Sequence, residues 1–343
     1  MKVGLLTGGG DCPGLNAVIR AVVRRIADAG GSCLGILEGW RGLLQNLTMP
    51  LSIPSTDGIV SQGGTILGSS RTNPYKHPET DLSALRANFD SERLDALVVI
   101  GGDDTLGVAV RLFNDFQLPL VGIPKAIDND LTLADFSFGF DTAVNVVTEA
   151  VDRLRTTTES HRRIMVVETM GRNSGWIACL AGMAVGADYI LVPEVPIDLP
   201  HLLNVLTRRR AGGKKYGLVI VAEGARLPDR EPLSLDMPPD PFGNVRLGGI
   251  GSAIAEAIES QTGLETRSVV LGHLQRGGAP TAFDRVLATR LGLAAGELVL
   301  DRRFGTVLSC QAGRIVPLPL APSSVTTRSL DLSYYNEAAA FFY

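Results

Sequence analysis

Residues 95 to 130 constrain the fold more than any other part of this sequence. They hold two short apolar runs, 96–100 and 119–123, separated by a segment whose apolar residues recur at helical spacing. Each run ends in a polar loop, GGDDT after the first and PKAIDND after the second. This pattern predicts two buried parallel strands joined by a helix. Because ligands bind beyond the carboxyl ends of strands in open α/β sheets, the two loops are expected to line a site.

The same alternation continues along the chain. Lys2–Thr7 predicts a first buried strand, and the loop GGGD that follows it leads into a helix from 13 to about 29. Further strand-like runs lie at 164–167, 189–192, 218–221 and 268–271, and a helix is predicted over 140–156. Strands that alternate with helices in this way predict an α/β fold with largely parallel, doubly wound sheets.

Composition excludes several classes of function. The net charge is −4 and no basic block is large enough for a nucleic-acid surface, so no nucleic-acid partner is expected. No apolar window reaches 18 residues, which argues against a membrane span. The four cysteines, at 12, 33, 179 and 310, share no metal-binding spacing. Together with an amino terminus that does not resemble a signal peptide, they favour a reduced, cytoplasmic protein.

Three aspartates follow the predicted strand ends. Asp103, Asp128 and Asp130, each taken alone, are typical of helix caps and turns. Their placement in two facing loops, with Lys125 beside them, favours a site for a phosphate and its metal. A hard cation such as Mg²⁺ takes one or two carboxylates plus phosphate oxygens, and a hydroxyl acceptor needs a carboxylate base. Neither glycine loop spells a Walker or dinucleotide-binding motif.

Basic side chains form a second set near strand ends. Its members are Arg71, Arg163, Arg172, Arg267, Arg276 and His273. Singly, each is typical of a solvated surface charge. Arg276 differs because it lies in GHLQRGG, where small neighbours leave the guanidinium accessible to an anion.

Seven blocks of the sequence resemble those of 6-phosphofructokinases, in the same order: GGGDCPGLNAVIR, GGTILGSSRTNP, GGDDT, PKAIDND, ESHRRIMVVETMGR, AEGA and ETRSVVLGHLQRGG. The resemblance extends from residue 1 to about residue 319. It implies a phosphofructokinase-like fold of two doubly wound α/β domains. Residues 1–139 plus about 275–325 would bind the phosphoryl donor, 140–274 would bind the sugar phosphate, and 326–343 would form a docking segment.

Two positions resemble the pyrophosphate-dependent enzymes of actinobacteria. ATP-using relatives carry GGDG and PGTIDND, whereas this chain has Asp104 and Lys125. A carboxylate about 4 Å from the α-phosphate of ATP would cost about 4 kcal/mol at an effective dielectric constant near 20. Lys125 would supply a point charge to a compact pyrophosphate. The resemblance therefore implies reversible phosphorylation of the 1-hydroxyl of fructose 6-phosphate by pyrophosphate.

The resemblance also assigns roles to single residues. Asp128 would be the catalytic base, assisted by Arg172 and Lys125, and Asp103 and Asp130 would bind Mg²⁺. The donor would be bound by Gly9, Arg71, Asp104 and Lys125. The sugar phosphate would be bound by Arg163, Met170, Gly171, Arg172, Glu223, Arg267, His273 and Arg276. Arg163 and Arg267 would reach it from a neighbouring subunit, which implies a homodimer or homotetramer with shared sites.

One departure leaves the acceptor open. The family has threonine in PKTIDND, and this chain has Ala126. The alternatives are therefore a pyrophosphate-dependent kinase of another sugar phosphate, such as sedoheptulose 7-phosphate, an ATP-dependent 6-phosphofructokinase, or a regulatory protein that binds sugar phosphates without catalysis.

Overall fold

The computed structural model describes residues 1–228, 231–234, 242, 243, 245 and 247–343. The loop predicted over 228–243 lies for the most part outside the described residues. The strands are β1 (Lys2–Thr7), β2 (Ser32–Ile36), β3 (Thr48–Leu51), β4 (Ala96–Gly101), β5 (Leu120–Pro124), β6 (Ile164–Thr169), β7 (Tyr189–Leu191), β8 (Gly217–Ala222), β9 (Thr266–Val270), β10 (Thr306–Gln311) and β11 (Arg314–Pro319). The helices are α1 (Leu15–Asp28), α2 (Trp40–Gln45), α3 (Ile53–Thr56), α4 (Pro78–Ser91), α5 (Asp103–Phe116), α6 (Phe140–His161), α7 (Trp176–Ala184), α8 (Leu199–Ala211), α9 (Ile250–Thr262), α10 (Ala282–Leu300) and α11 (Leu332–Ala339).

The larger sheet has the strand order β11-β10-β5-β4-β1-β2-β3. Its central strands pair in parallel, while β3 and β11 pair antiparallel at the two edges. β4 and β5 are buried along their whole length, as expected for strands covered by helices on both faces. β10 and β11 are joined by Ala312 and Gly313, both with positive φ, which is the geometry of a tight two-residue hairpin.

The smaller sheet has the order β7-β8-β6-β9 and is parallel throughout. β6 and β8 are fully buried, whereas the edge strand β9 is partly exposed, with Val270 55% exposed. The predicted α/β class with two largely parallel sheets is confirmed. Several predicted boundaries were wrong. For example, α6 continues to His161, β6 continues to Thr169 and β9 begins at Thr266.

The carboxyl ends of the two sheets carry loops that contact each other. Arg276, which follows β9, donates a hydrogen bond from Nη1 to Asp11 O after β1, at 2.9 Å. Apolar residues of both sheets also belong to one continuous buried cluster. The cleft between the sheets is therefore lined by loops from both.

The last residues, 341–343, pack against the smaller sheet. The Phe342 ring stacks on Tyr189 with 4.5 Å between centroids, and Arg209 donates to Phe341 O at 2.7 Å and Tyr343 O at 2.8 Å. Within the described ranges, no helix has the length and apolar character needed to cross a membrane.

Candidate active site

The glycine loop after β1 lies over a buried lysine. Gly9 has a φ of +78°, a conformation that favours glycine, and its N–H donates to Ser70 O at 3.1 Å. The Lys125 ammonium donates to Gly10 O, and a Cβ added at Gly9 would lie 3.7 Å from Lys125 Nζ. The loop therefore brings main-chain groups and one cation to the same small volume.

Lys125 itself is only 5% exposed. Burial lowers its pKa, and Arg276 lowers it further, while Cys12, Asp11 and Asp103 oppose the shift. A cation that has lost its solvation in this way is favoured by a bound anion. The charged form of Lys125 therefore depends on nearby negative groups.

The two acidic loops lie side by side because β4 and β5 are neighbours. Lys125 N donates to Gly101 O at 2.9 Å, which holds the start of the second loop against the end of β4. Asp103 and Asp104 form the first turn of α5, where Asp103 is exposed and Asp104 is half-buried. Carboxylates in a first helical turn also stabilise the helix through its dipole.

Asp128 lies deeper in the same cleft. Its Oδ1 is buried and has no hydrogen-bond partner among the described residues. Burial raises the pKa of this carboxyl, while Arg276, Arg172 and Lys125 act in the opposite direction. A buried oxygen without a protein partner is unusual, and it leaves Asp128 able to accept a hydrogen bond from a ligand.

The aspartates influence one another. Burial and the charges of Asp128 and Asp103 raise the pKa of Asp130 to about 7. In the part of the chain that the structure describes, no three His, Cys, Asp or Glu side chains are grouped so as to hold a metal. Two carboxylates, such as those of Asp103 and Asp130, are enough for a hard cation that takes its other ligands from phosphate oxygens and water.

The loop that carries Asp128 is held by polar side chains that sequence reasoning did not identify. Asn129 has a φ of +52°, a conformation that asparagine tolerates better than most residues. Its Oδ1 accepts from Ser137 N at 3.0 Å and its Nδ2 donates to Asp135 O at 3.2 Å. Ser137 Oγ accepts from Ala126 N at 2.8 Å and donates to Ala126 O. These bonds fix the loop at both ends.

The loops after β6 and β8 form the opposite wall. Glu223 N donates to Thr169 O at 2.9 Å, and Gly224 N to Gly171 O at 3.0 Å. A Cβ at Gly224 would collide with Arg172 O, so the close contact requires glycine. Burial and the charge of Asp128 raise the pKa of Glu223 to about 7, against the effect of Arg172. Glu223, Arg172 and Asp128 therefore face one cleft.

The turn after β9 closes the cleft. Met170 N donates to Gln275 Oε1 at 3.2 Å, and a Cβ at Gly10 would lie 2.7 Å from Arg276 Nη1. Arg276, predicted to bind the sugar phosphate, thus lies directly against the donor loop and joins the two walls. His273 is exposed in the same turn, and Arg71 is exposed at the end of its glycine loop.

Two predicted residues lie apart from this cleft. Arg163 pairs with Glu265 at 3.0 Å, and Arg267 pairs with Glu265 at 3.0 Å. Arg267 is opposite Met165 in the sheet, at the amino end of β6. Met165 precedes Met170 by five residues, so at about 3.3 Å per residue Arg267 lies about 16 Å from Met170. The structure therefore brings Lys125, Asp128, Arg172, Glu223 and Arg276 together in one cleft, and places Arg163 and Arg267 outside it.

Comparisons with known proteins identify the family of this chain. The family model "Phosphofructokinase" matches residues 2–299. The chain is 50% identical over 343 residues, covering 100% of both chains, to a pyrophosphate--fructose 6-phosphate 1-phosphotransferase of Streptomyces coelicolor. It is 46% identical over 348 residues, again covering 100% of both, to an ATP-dependent 6-phosphofructokinase 2 of the same species. It is also similar to the crystal structure of Pichia pastoris phosphofructokinase in the T-state, with a TM-score of 0.82 and 34% identity, covering 99% of this chain and 36% of that chain. This chain belongs to the phosphofructokinase family of enzymes.

Proposed function

We propose that the protein transfers a phosphoryl group from pyrophosphate to the 1-hydroxyl of fructose 6-phosphate. The products are fructose 1,6-bisphosphate, orthophosphate and a proton, and we propose that the reaction runs in both directions. The observation that carries the proposal is the buried Lys125 ammonium beneath Gly9 and Gly10. An ammonium at this position can bind a phosphate group of the donor without any contact to a nucleoside.

The choice of pyrophosphate over ATP rests on Asp104 and Lys125. Sequence identity alone does not separate the two donors, since full-length relatives of both kinds match this chain. Asp104 is half-buried in the first turn of α5, one residue beyond the proposed metal ligand Asp103. A fixed negative charge there disfavours the extra phosphate of ATP, while Lys125 favours the compact donor.

Asp128 is the proposed base. Its Oδ1 accepts no hydrogen bond from the residues that the structure describes, so a sugar hydroxyl can bind there and lose its proton as the oxygen attacks phosphorus. Arg172, Lys125 and Arg276 already act on the charge of Asp128, and the same cations balance the charge on the transferring group. Positioning and electrostatic stabilisation supply most of the catalytic effect in such reactions.

Enzymes of this family generally use a divalent metal. We propose Mg²⁺, with Asp103 and Asp130 as its protein ligands. The raised pKa of Asp130 beside two other carboxylates supports this assignment, since a bound cation relieves such repulsion. When bound, Mg²⁺ would neutralise charge on the pyrophosphate oxygens.

Arg163 and Arg267 are proposed to serve the site of a neighbouring subunit in a homodimer or homotetramer. The support is their position at the amino ends of strands, away from their own cleft. The four cysteines are free and buried, which is consistent with the proposed cytoplasmic location.

A second acceptor is favoured by one observation. Ser137 holds the main chain of Ala126 through two hydrogen bonds. The backbone is therefore not free to move to where a threonine hydroxyl would lie. We propose a longer ketose phosphate, such as sedoheptulose 7-phosphate, as this second acceptor.

A coupled assay tests the donor and the acceptor together. Pyrophosphate and ATP, each with Mg²⁺, are crossed with fructose 6-phosphate and sedoheptulose 7-phosphate. We expect turnover with pyrophosphate and at most a few per cent of that rate with ATP. Equal rates with ATP would contradict the proposed donor. Saturable binding of the sugar phosphates without turnover would indicate a non-catalytic regulator.

A further inference from the structure

The residues between β11 and α11 reach back to the loop that carries Asp128. We call residues 326–330 the strap. Thr132 N donates to Thr326 O at 3.0 Å, the two threonine hydroxyls lie 2.8 Å apart, and Leu131 and Thr327 form an antiparallel bridge. The strap therefore pairs with the chain just beyond the proposed base and metal ligand.

Among the residues of the strap, Arg328 contacts the chain next to Asp128 and Asp130. Its N–H donates to Asp130 O at 2.6 Å, and its Nε donates to Asn129 O at 3.2 Å. Its Nη2 donates to Asp135 O at 2.7 Å. Arg328 thus holds the carbonyl groups of both peptide bonds that flank Asp130. They lie directly after the left-handed conformation of Asn129.

The same side chain also reaches the opposite wall. The Arg328 guanidinium lies over the Trp176 ring, 5.2 Å from its centroid. Trp176 opens α7, directly after the loop that carries Arg172. Leu330 N donates to Glu194 Oε1 at 2.7 Å, and Glu194 in turn accepts from Gly175 N at 3.0 Å. The strap is therefore fastened to both walls of the cleft.

We propose that Arg328 is a positioning residue, which holds the Asp128–Asp130 loop in register with the loop that carries Arg172. The inference rests on the proposed function, since it assigns Arg328 a part in that reaction without contact to substrate. A planar guanidinium can donate to two carbonyl oxygens and present its face to an aromatic ring at once. A lysine at position 328 can make only some of these contacts, and a glutamine there has no charge.

The test compares Arg328→Gln and Arg328→Lys with Thr326→Val, a matched control in the same strap that removes the contact between the threonine hydroxyls. kcat and KM are measured with pyrophosphate and fructose 6-phosphate, and deuterium exchange is measured over residues 125–137. For Arg328→Gln we expect kcat to fall about 10- to 100-fold, the usual effect of a small misplacement of reacting groups. KM should stay within about threefold, exchange over 125–137 should rise, Arg328→Lys should be intermediate, and Thr326→Val should resemble wild type.

Three results would overturn the inference: a kcat of Arg328→Gln within about threefold of wild type, a loss of kcat with unchanged exchange over 125–137, or an equal loss in Thr326→Val. If Arg328→Gln does not fold, Arg328→Lys decides, because a wild-type kcat in that variant refutes the role of the planar fork. A wild-type protein without turnover would refute the proposed function instead. The exchange measurement would then still test whether Arg328 holds the loop.

Discussion

Replacing Asp128 with asparagine removes the proposed base and keeps the shape of the side chain. The carboxylate is buried, and its Oδ1 has no protein hydrogen-bond partner among the described residues. The change therefore breaks no hydrogen bond at that atom. We expect the melting temperature to be no lower than that of wild type, because the protein no longer buries this carboxyl group.

The effect on catalysis should be large. General base catalysis typically contributes about 10²- to 10⁴-fold, or about 3 to 5 kcal/mol of transition-state stabilisation. We expect kcat to fall by that factor while KM for the sugar phosphate changes less. The charge of Asp128 is also the second cause of the raised pKa of Glu223, so the pKa of Glu223 should move down toward its ordinary value in the variant.

The assay measures steady-state kcat and KM with pyrophosphate, with Asp57→Asn as the control. Asp57 is a surface residue paired with Arg24 at 2.8 Å, and exposed pairs of this kind contribute little to stability. The control should remain within about twofold of wild type. A kcat of Asp128→Asn within about threefold of wild type, or a loss of binding with kcat retained, would refute the assignment of Asp128 as the base.

Three further predictions concern pH, assembly and the acceptor. Because Glu223 keeps its proton to about pH 7 when folded and the unfolded chain releases it near pH 4.5, stability should fall as pH rises between these values. Glu223→Gln should remove up to about 3 kcal/mol of this loss of unfolding free energy. Denaturation midpoints that are identical in wild type and variant at every pH from 4.5 to 8 would contradict the prediction. Mixing Arg163→Ala with Asp128→Asn subunits should restore part of the activity through hybrid sites, whereas full activity of an isolated monomer would exclude shared sites. Ala126→Thr should shift the ratio of kcat/KM values toward fructose 6-phosphate over sedoheptulose 7-phosphate, and equal changes in both would show that Ala126 does not select the sugar.

The fold could be predicted where strands are apolar and end in glycine loops. β1, β4, β6 and β8 have this pattern, and β5 is an apolar run that ends in the polar loop PKAIDND. Four strands were not predicted: β2, β3, β10 and β11. Two of them, β3 and β11, contain prolines in short mixed segments, TMPL and RIVPLP. Proline is tolerated on edge strands, and these two strands lie at the edges of the larger sheet.

The site was predictable to the extent that it is local in sequence. Lys125, Asp128 and Asp130 lie in one loop, so their motif reveals them together. Arg328 contacts that loop across 199 residues of chain, and no pattern near either partner indicates the contact. The sequence likewise does not reveal that Arg276 lies against the donor loop, because this contact depends on how the two sheets pack.

The reverse reaction tests the central claim most directly. The enzyme is given fructose 1,6-bisphosphate and Mg²⁺ with either orthophosphate or ADP, and the formation of pyrophosphate or ATP is measured. We predict that pyrophosphate forms at a rate that saturates with orthophosphate, and that no ATP forms from ADP. Formation of ATP from ADP without pyrophosphate from orthophosphate would contradict the account.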